Sequence, residues 1–187
     1  ENDMDGALSY YEKALKTQPD STDLWEAVFS VRLQKEEYPK AWEIREKLDR
    51  SNIETVLNVL KVAELTGNYL KGADFVTEEL AKDGSISRMM RILLTKGGKF
   101  DDALKNAKKE LVNSNEGFVM IDRSTDAEGS YVIGVDRNSV FIVCSKDPQK
   151  FVPVTVSGGK VSIKGSPLES GVPEISGFAK NFCLGNY

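Results

Sequence analysis

The spacing of apolar positions changes once along the chain, near residue 113. Over residues 1–113, apolar residues recur every three or four positions, which places them on one face of a helix. Stripes of this kind begin near residues 7, 25, 41, 56, 73, 86 and 100, and Gly, Pro, Asp or Ser residues separate them. The pattern predicts about seven helices of roughly 11–15 residues, joined by short turns.

From residue 117 onward, apolar and polar residues alternate with a period of two, which is typical of strands. The segments concerned are GFVMID (117–122), SYVIGVD (130–136), SVFIVCS (139–145) and VPVTVSGGKVSIK (152–164). They predict a small antiparallel meander of about five strands, with a two-residue hairpin turn at Gly158–Gly159. The last residues, 165–187, contain several Pro and Gly residues and predict an irregular tail that packs back on the sheet.

The predicted fold class is therefore α+β, with a helical domain over residues 1–113 and a small antiparallel β domain over residues 114–187. The last predicted helix carries Phe100, Leu104 and Leu111, and no further helical repeat follows to cover them. Because the β domain begins only a few residues later, we expect it to contact that helix directly and to cap the helical domain.

An aromatic residue followed three positions later by a small residue recurs at a fixed interval. The aromatic residues are 31 positions apart, and the pairs are Tyr38 and Ala41, Tyr69 and Gly72, and Phe100 and Ala103. An earlier copy, Met4 and Ala7, precedes the first of these pairs at a slightly longer interval. A small residue at a fixed place in a helix pair allows the two helices to cross closely, so we expect Ala41 and Ala103 to be buried.

Paired helices that repeat at such intervals resemble the tetratricopeptide-repeat family. Ala7, Tyr11, Ala14 and Pro19 stand at the spacing that the family uses, and Trp25 falls where the Trp of the following repeat belongs. The resemblance covers residues 1–113 and implies a tetratricopeptide-like α-α superhelix. A different helical-hairpin repeat and an unrelated helical bundle are the alternatives. The sequence also predicts a capping box at Ser51 and Glu54, at the start of one repeat.

The resemblance implies that the first helix of each pair lines a concave groove that binds a peptide or a partner segment. The positions carried over to this groove are Asp23, Glu26, Ser30, Leu33 and Gln34 on the first complete pair, Glu54, Leu57, Lys61 and Glu64 on the next, and Ser87, Arg91 and Thr95 on the last. These residues are mixed in charge, acidic at the front and basic at the back. The function that this implies is a protein–protein interaction module.

Two other functions remain open at this point. In the first, the helices are a structural or oligomerisation spacer and the β domain is the functional head. In the second, loops between the strands form an enzyme or sugar-binding site. A groove that binds a partner has polar and aromatic side chains exposed, whereas a spacer has this face covered by its own chain.

Composition argues against most catalytic and metal chemistry. The chain has no His, which removes Ser-His-Asp and Cys-His catalysis and His-ligated zinc. We therefore expect no enzyme activity, no cofactor and no metal site. With a net charge of −4 and no basic face, the chain is not expected to bind nucleic acid. Cys144 and Cys183 are either two thiols or, in an exported protein, one disulfide.

The apolar runs are short, so we expect a soluble protein that does not span a membrane. The first residue is Glu1, which is compatible with an excised piece or with an exported protein whose leader has been removed. The first predicted helix carries Leu8, Tyr10 and Tyr11 and has no partner helix before it. Either upstream repeats precede it, or this surface pairs with another chain in self-association.

Overall fold

The computed structural model describes residues 3–113, 117–124, 130–157, 160–163, 166–167 and 173–185. The chain divides into two compact units, Glu1–Ile86 and Ser87–Tyr187. The helices are α1 (Met4–Leu15), α2 (Thr22–Gln34), α3 (Tyr38–Glu43), α4 (Ile53–Thr66), α5 (Tyr69–Phe75), α6 (Gly84–Lys96), α7 (Phe100–Asn113) and α8 (Pro173–Leu184). The strands are β1 (Val119–Arg123), β2 (Tyr131–Val135), β3 (Val140–Cys144), β4 (Asp147–Ser157), β5 (Lys160–Ile163) and β6 (Ser166–Pro167).

The fold class is α+β, as predicted, and the last helix before the sheet ends at Asn113, where the sequence predicts the change from helix to strand. The division between the two units falls earlier, inside α6. This is because α7 packs on β1 and β2, so that the last helix pair shares a core with the sheet.

Two of the predicted helices are shorter than the spacing of apolar residues indicates, since α3 has six residues and α5 has seven. Just after α3, the Arg45 guanidinium donates to the Trp42 carbonyl at 3.0 Å and stacks on the Trp42 ring. At the end of α5, the Arg50 side chain donates to the Phe75 carbonyl at 2.6 and 3.0 Å. Arg50 thus supplies donors to a carbonyl at the end of α5, and Arg45 adds a donor to the Trp42 carbonyl, which also accepts the Ile44 N–H.

The turns that join α2 to α3, α4 to α5 and α6 to α7 have the same backbone conformation. Each contains one residue with a positive φ angle, and these are Glu36 (56°), Gly67 (71°) and Gly98 (80°). In each turn the next N–H donates to a carbonyl five positions earlier: Glu37 to Arg32, Asn68 to Ala63 and Lys99 to Leu94. This bond satisfies a carbonyl at the end of the first helix. The aromatic-to-small motif begins at the second position after each of these turn residues, so it marks equivalent places in three helix pairs.

In the first unit, the principal contacts join helices that are adjacent along the chain: α1 with α2, α2 with α3, α3 with α4, and α4 with α5. The core consists mainly of aliphatic and small side chains, among them Val56, Leu60 and Ala63. The predicted burial of Ala41 is confirmed, and so is that of Ala103 in the second unit.

The start of α4 differs from the predicted capping box. Asn52 is the N-cap, and its side-chain oxygen accepts a hydrogen bond from the Thr55 N–H at 3.1 Å. Ser51 is instead held by Asp49, whose Oδ1 accepts both the N–H and the hydroxyl of Ser51. Asn and Ser are equally good caps, so the sequence alone could not choose between them.

In the second unit, the strands form one antiparallel sheet in the order β1-β2-β3-β4-β5-β6. A register shift between Met120 and Asp122 makes a bulge in β1. The prediction of about five strands missed β6, whose two residues are too few to show an alternating pattern. Ser157 pairs with Lys160, and Gly158–Gly159, the predicted turn between them, lies outside the described residues.

The prediction of an irregular C-terminal tail is wrong, because residues 173–184 form α8. Pro173 is the first residue of the helix, a position where a missing N–H costs nothing. Ile175 and Ala179, four positions apart, are fully buried in the core that α7 and the sheet also form. The Pro and Gly residues of this segment hid a helical spacing of apolar residues.

Candidate functional site

The residues of α2 that the sequence places in a groove lie at the surface of the first unit. Asp23, Ser30 and Gln34 are exposed, and Glu26 and Leu33 are half-buried. The buried residues of this helix, Val28 and Phe29, occupy other positions.

The corresponding residues of α4 are also accessible: Glu54 and Lys61 are exposed, and Leu57 and Glu64 are half-buried. Two apolar residues that the sequence analysis missed are exposed on this helix, Ile53 at 45% and Leu65 at 53%. Ile53, Leu57, Lys61 and Leu65 follow at intervals of four positions, the spacing of neighbours on a helix surface. The signal that could have identified them is this spacing, on the side of α4 opposite the buried Val56, Val59 and Val62.

A hydrogen bond connects α2 and α4 at this surface. The Thr55 hydroxyl donates to Glu26 Oε1 at 3.1 Å, which brings the N-terminal half of α2 beside the start of α4. We call the surface the α2–α4 face and define it by Asp23, Glu26, Ser30, Leu33, Gln34, Ile53, Glu54, Leu57, Lys61, Glu64 and Leu65. It carries four carboxylates against one ammonium group, so its net charge is negative.

The three groove residues predicted on α6 are not accessible, and this part of the prediction needs correction. Ser87, Arg91 and Thr95 are all buried, and Arg91 is only 1% exposed. They lie in the interior of the second unit, where Ser87 and Arg91 form hydrogen bonds and the Thr95 hydroxyl has no partner among the described residues. A solvent-facing position on a helix pair becomes an interior position once a sheet packs there, and spacing on the helix does not reveal it.

The buried Arg91 side chain joins α6, α7 and β1. Its Nε donates to the Met120 carbonyl at 2.8 Å, at the bulge of β1. Its Nη1 donates to Ser87 Oγ at 3.1 Å, Asn106 Oδ1 at 2.9 Å and Glu110 Oε2 at 2.5 Å. An arginine suits this place because its several fixed donors can serve a carbonyl and a carboxylate together. The arrangement is a structural cluster, since its hydrogen bonds are made within the protein.

A second buried polar cluster surrounds Asp122 of β1. Asp122 Oδ2 accepts the hydroxyl of Ser176 at 2.6 Å and the hydroxyl of Tyr131 at 3.0 Å. Its Oδ1 has no hydrogen-bond partner within the described part of the chain. Burial raises the pKa of the Asp122 carboxyl, and the bonds from Ser176 and Tyr131 and the charge of Lys96 oppose that shift.

Cys144 of β3 and Cys183 of α8 form a disulfide, with their Cα atoms 5.3 Å apart. This decides between the two alternatives that the sequence left open for the cysteines. Together with the bond from Ser176 to Asp122, the disulfide holds α8 to the sheet near both of its ends.

The first helix exposes one aromatic side chain. Tyr10 is 70% exposed, and its ring contacts that of Tyr11 edge to face at a centroid distance of 5.8 Å. Leu8 and Tyr11 are half-buried. The apolar area that the sequence predicts on α1 is therefore mainly that of Tyr10.

Within the described ranges, no group of three or more Cys, Asp or Glu residues has the arrangement of a metal site. The helices of those ranges fall short of the length and apolar character that a bilayer-spanning helix needs. A scan against models of known protein families and a search of curated proteins both found no match to the chain.

Proposed function

We propose that this chain is a protein-interaction module whose helix pairs form a tetratricopeptide-like superhelix and bind a partner segment on the α2–α4 face. The observation that carries the proposal is the accessibility of this face, where polar residues surround the exposed apolar residues Ile53 and Leu65. Ile53 and Leu57 adjoin on the surface of α4, and adjoining exposed apolar side chains with a polar rim are typical of a surface that a partner covers.

The repeated geometry of the helix pairs supports this proposal. Three equivalent turns at a constant interval and packing between neighbouring helices are features of solenoid repeats. The cover that the sheet gives to Phe100 and Leu111 of α7 agrees with a solenoid whose last helix needs a cap.

The chemistry of the face indicates the class of partner. Its carboxylates, among them Asp23 and Glu54, favour a segment that carries Lys or Arg. Its apolar residues, spaced as neighbours on one helix surface, favour a partner with an apolar face of its own. We therefore propose a basic amphipathic segment as the ligand of this module.

Capture of partners by the full chain, quantified by mass spectrometry, tests the proposal. Leu65→Asp and Glu54→Gln change the face without touching the core, and we expect both to reduce the captured partner strongly. Leu70→Asp is the matched control, because Leu70 is an exposed leucine of α5 outside the face. A peptide made from the basic segment of the captured protein is then titrated against the parent and each variant.

Two results would overturn this function. One is that the Leu65 and Glu54 variants capture the same proteins as the parent in equal amounts. The other is that Leu70→Asp loses the partner to the same extent, which would indicate a general effect on folding.

The second candidate function is that of an oligomerisation spacer with the β domain as its functional head. The exposure of Tyr10 favours it, because a second chain that packs on α1 would cover this ring. Sedimentation of the parent and of Tyr10→Ser over a range of concentrations tests it. Concentration-dependent association that Tyr10→Ser removes supports the spacer, and a parent that stays monomeric excludes self-association through α1.

A further inference from the structure

A cleft lies in the second unit between α7 and the turn that joins β2 to β3. It consists of two adjoining hollows of ≈ 270 Å³ and ≈ 380 Å³, both of which are lined by Lys108, Asp136 and Arg137. We call it the α7 cleft. Its position is independent of the α2–α4 face, which belongs to the first unit.

The two cations of the α7 cleft are available to a ligand. Lys108 and Arg137 are exposed, and within the described ranges neither forms an ion pair. Some other cations of the chain are held by carboxylates instead, such as Arg32 by Glu12 and Arg91 by Glu110. Lys105, which precedes Lys108 by just under one turn of α7, is exposed as well and adds positive charge nearby.

The carboxylate of Asp136 builds the turn that presents Arg137. Its Oδ1 accepts the N–H groups of Asn138 and Ser139, both at 2.7 Å, and the Ser139 hydroxyl at 3.2 Å. The two N–H groups lower the pKa of Asp136, so it stays ionised at neutral pH. The cleft therefore contains two cations, Lys108 and Arg137, and one carboxylate, that of Asp136, which accepts hydrogen bonds from the turn. Its net charge is positive.

Apolar surface lies on both sides of the shared cations. The smaller hollow is lined by the half-buried Leu104, by the buried Val140 and Val154, and by polar residues that include Asn138, Ser139 and Thr155. The larger hollow is lined by the buried Leu111 and by Val112. Val112 is 84% exposed, so the larger hollow has an open apolar wall. A ligand that spans both hollows can place one apolar group beside Leu104, another beside Val112, and its middle beside Lys108 and Arg137.

We propose that the α7 cleft binds a short acidic peptide segment, in which a Glu or Asp carboxylate lies between Lys108 and Arg137 and apolar neighbours enter the two hollows. Charge complementarity selects the carboxylate, and a charged hydrogen bond of this kind contributes more than a neutral one. The shallow, two-part shape suits an extended segment, since an extended chain places alternate side chains along a cleft.

The probe is a fluorescein-labelled peptide with one Glu between pairs of Leu residues, titrated with the full chain and followed by fluorescence anisotropy. A matched peptide with Gln in place of the Glu reports the contribution of the charge. We expect Lys108→Gln and Arg137→Gln each to weaken binding of the Glu peptide about tenfold, and the Gln peptide to bind the parent about as weakly.

Matched controls separate the cleft from the general charge of the protein. Lys109→Gln and Arg88→Gln remove exposed cations that do not line the cleft, and we expect both to bind like the parent. The α2–α4 face variants Leu65→Asp and Glu54→Gln are also expected to bind the acidic peptide normally. A failure of the cleft and a failure of the proposed function therefore give different results.

Several outcomes would overturn the cleft proposal. If the anisotropy of the labelled peptide does not saturate by about 1 mM protein, the cleft has no useful affinity for such peptides. Equal binding of the Glu and Gln peptides would remove the role of the cations. If acetate at the same concentration as the peptide displaces it, the cleft recognises only a carboxylate and the apolar groups make no contribution. Lys108-dependent binding to phosphatidylserine vesicles without peptide binding would assign it to a membrane surface.

Discussion

In the first unit, each helix packs mainly on its neighbours along the chain, whereas in the second unit α8 packs on β2 and β3, which are distant from it in sequence. Ser176 bonds to Asp122 across a sequence separation of 54, and the disulfide spans a separation of 39. The polar interior differs as well, because the four buried polar residues of the described ranges, Ser87, Arg91, Thr95 and Asp122, all belong to the second unit.

This difference has a physical cause. A helix satisfies its backbone groups internally, so a stack of helix pairs can have an interior that is almost entirely apolar. A sheet with a bulge leaves backbone groups such as the Met120 carbonyl to be satisfied by side chains. The second unit therefore needs a few specific polar contacts in addition to its apolar core, whereas the interior of the first unit is held mainly by apolar packing.

The substitution with the largest expected effect is Arg91→Met, in the second unit. It leaves Glu110 without its ion pair and removes the donor to the Met120 carbonyl. Because Glu110 is itself half-buried, the cost is that of several hydrogen-bond acceptors left without a donor, roughly 1–3 kcal/mol of folding free energy each, and we expect the sum to exceed the other effects. Hydrogen exchange of each unit, with urea unfolding, measures it, and the loss of protection is expected in Ser87–Tyr187. Arg88→Met on the exposed side of the same helix is the control, and equal stabilities of the two variants would contradict the role of Arg91.

Loss of the disulfide is expected to be the next largest effect. A cross-link between positions separated by 39 in the sequence stabilises the folded state by roughly 2–4 kcal/mol, mainly through the unfolded chain. Unfolding of the parent with and without a reducing agent measures this difference. A Cys144→Ala, Cys183→Ala double variant is expected to match the reduced parent and to be insensitive to the reductant. A parent that is equally stable in both conditions would show that the bond is not formed.

Ala41→Leu tests the dependence of the first unit on shape. The Ala41 side chain is fully buried, so the larger residue is expected to cost roughly 1–3 kcal/mol through overpacking. Ser30→Leu on the exposed surface of α2 provides the control, and it should unfold like the parent. Thermal and urea unfolding give both values, and an Ala41→Leu variant as stable as the parent would mean that the helices do not approach closely there.

The Asp122 carboxyl predicts a pH dependence that is specific to the second unit. Because its pKa is raised in the folded state, the folded protein holds this proton more tightly than the unfolded chain. The contribution of the Asp122 carboxyl to the free energy of unfolding is therefore largest at a pH below the pKa that this group has in the unfolded chain. This contribution is lost as the pH rises through the higher pKa that the group has in the folded protein. One such group changes stability by at most about 1.4 kcal/mol per pH unit.

The comparison between Asp122→Asn and the parent isolates this effect from the other carboxyls. We expect the stability of the parent, relative to the variant, to fall as the pH is raised from about 4 to about 7 in urea unfolding. A constant difference between the two proteins over this range would show that the carboxyl does not change its proton on folding.

The smallest expected effect concerns the turn between α2 and α3, where Glu36 has a φ angle of 56°. The equivalent residues of the other two turns, Gly67 and Gly98, are glycines, for which this conformation carries no penalty. Glu36→Gly is therefore expected to stabilise the protein by up to about 1 kcal/mol. Gly67→Ala is the reciprocal test and is expected to destabilise by a similar amount, since open space surrounds the added methyl and only the backbone conformation opposes it. Opposite signs in thermal unfolding would confirm that the turns are equivalent.

The sequence by itself determined the features that depend on local order. The spacing of apolar residues identified the seven helices up to Asn113 and the alternation of the strands, because each follows from the geometry of one element. The aromatic-to-small interval identified three equivalent turns and the burial of Ala41 and Ala103, because a repeated packing requirement leaves a repeated residue pattern. The positions of α2 and α4 that the resemblance to tetratricopeptide repeats placed in a groove are accessible.

Only the tertiary structure decided what happens where distant segments meet. It paired Cys144 with Cys183, placed Ser176 on Asp122, and buried Arg91 where its position on α6 had predicted a groove. The spacing of residues on one helix indicates which of them share a face, but it does not indicate what packs on that face. The sheet, whose first strand begins at residue 119, covers part of α7, and its Met120 carbonyl accepts a hydrogen bond from Arg91 of α6. The burial of such polar residues therefore depends on contacts between distant segments, which a local sequence pattern does not show.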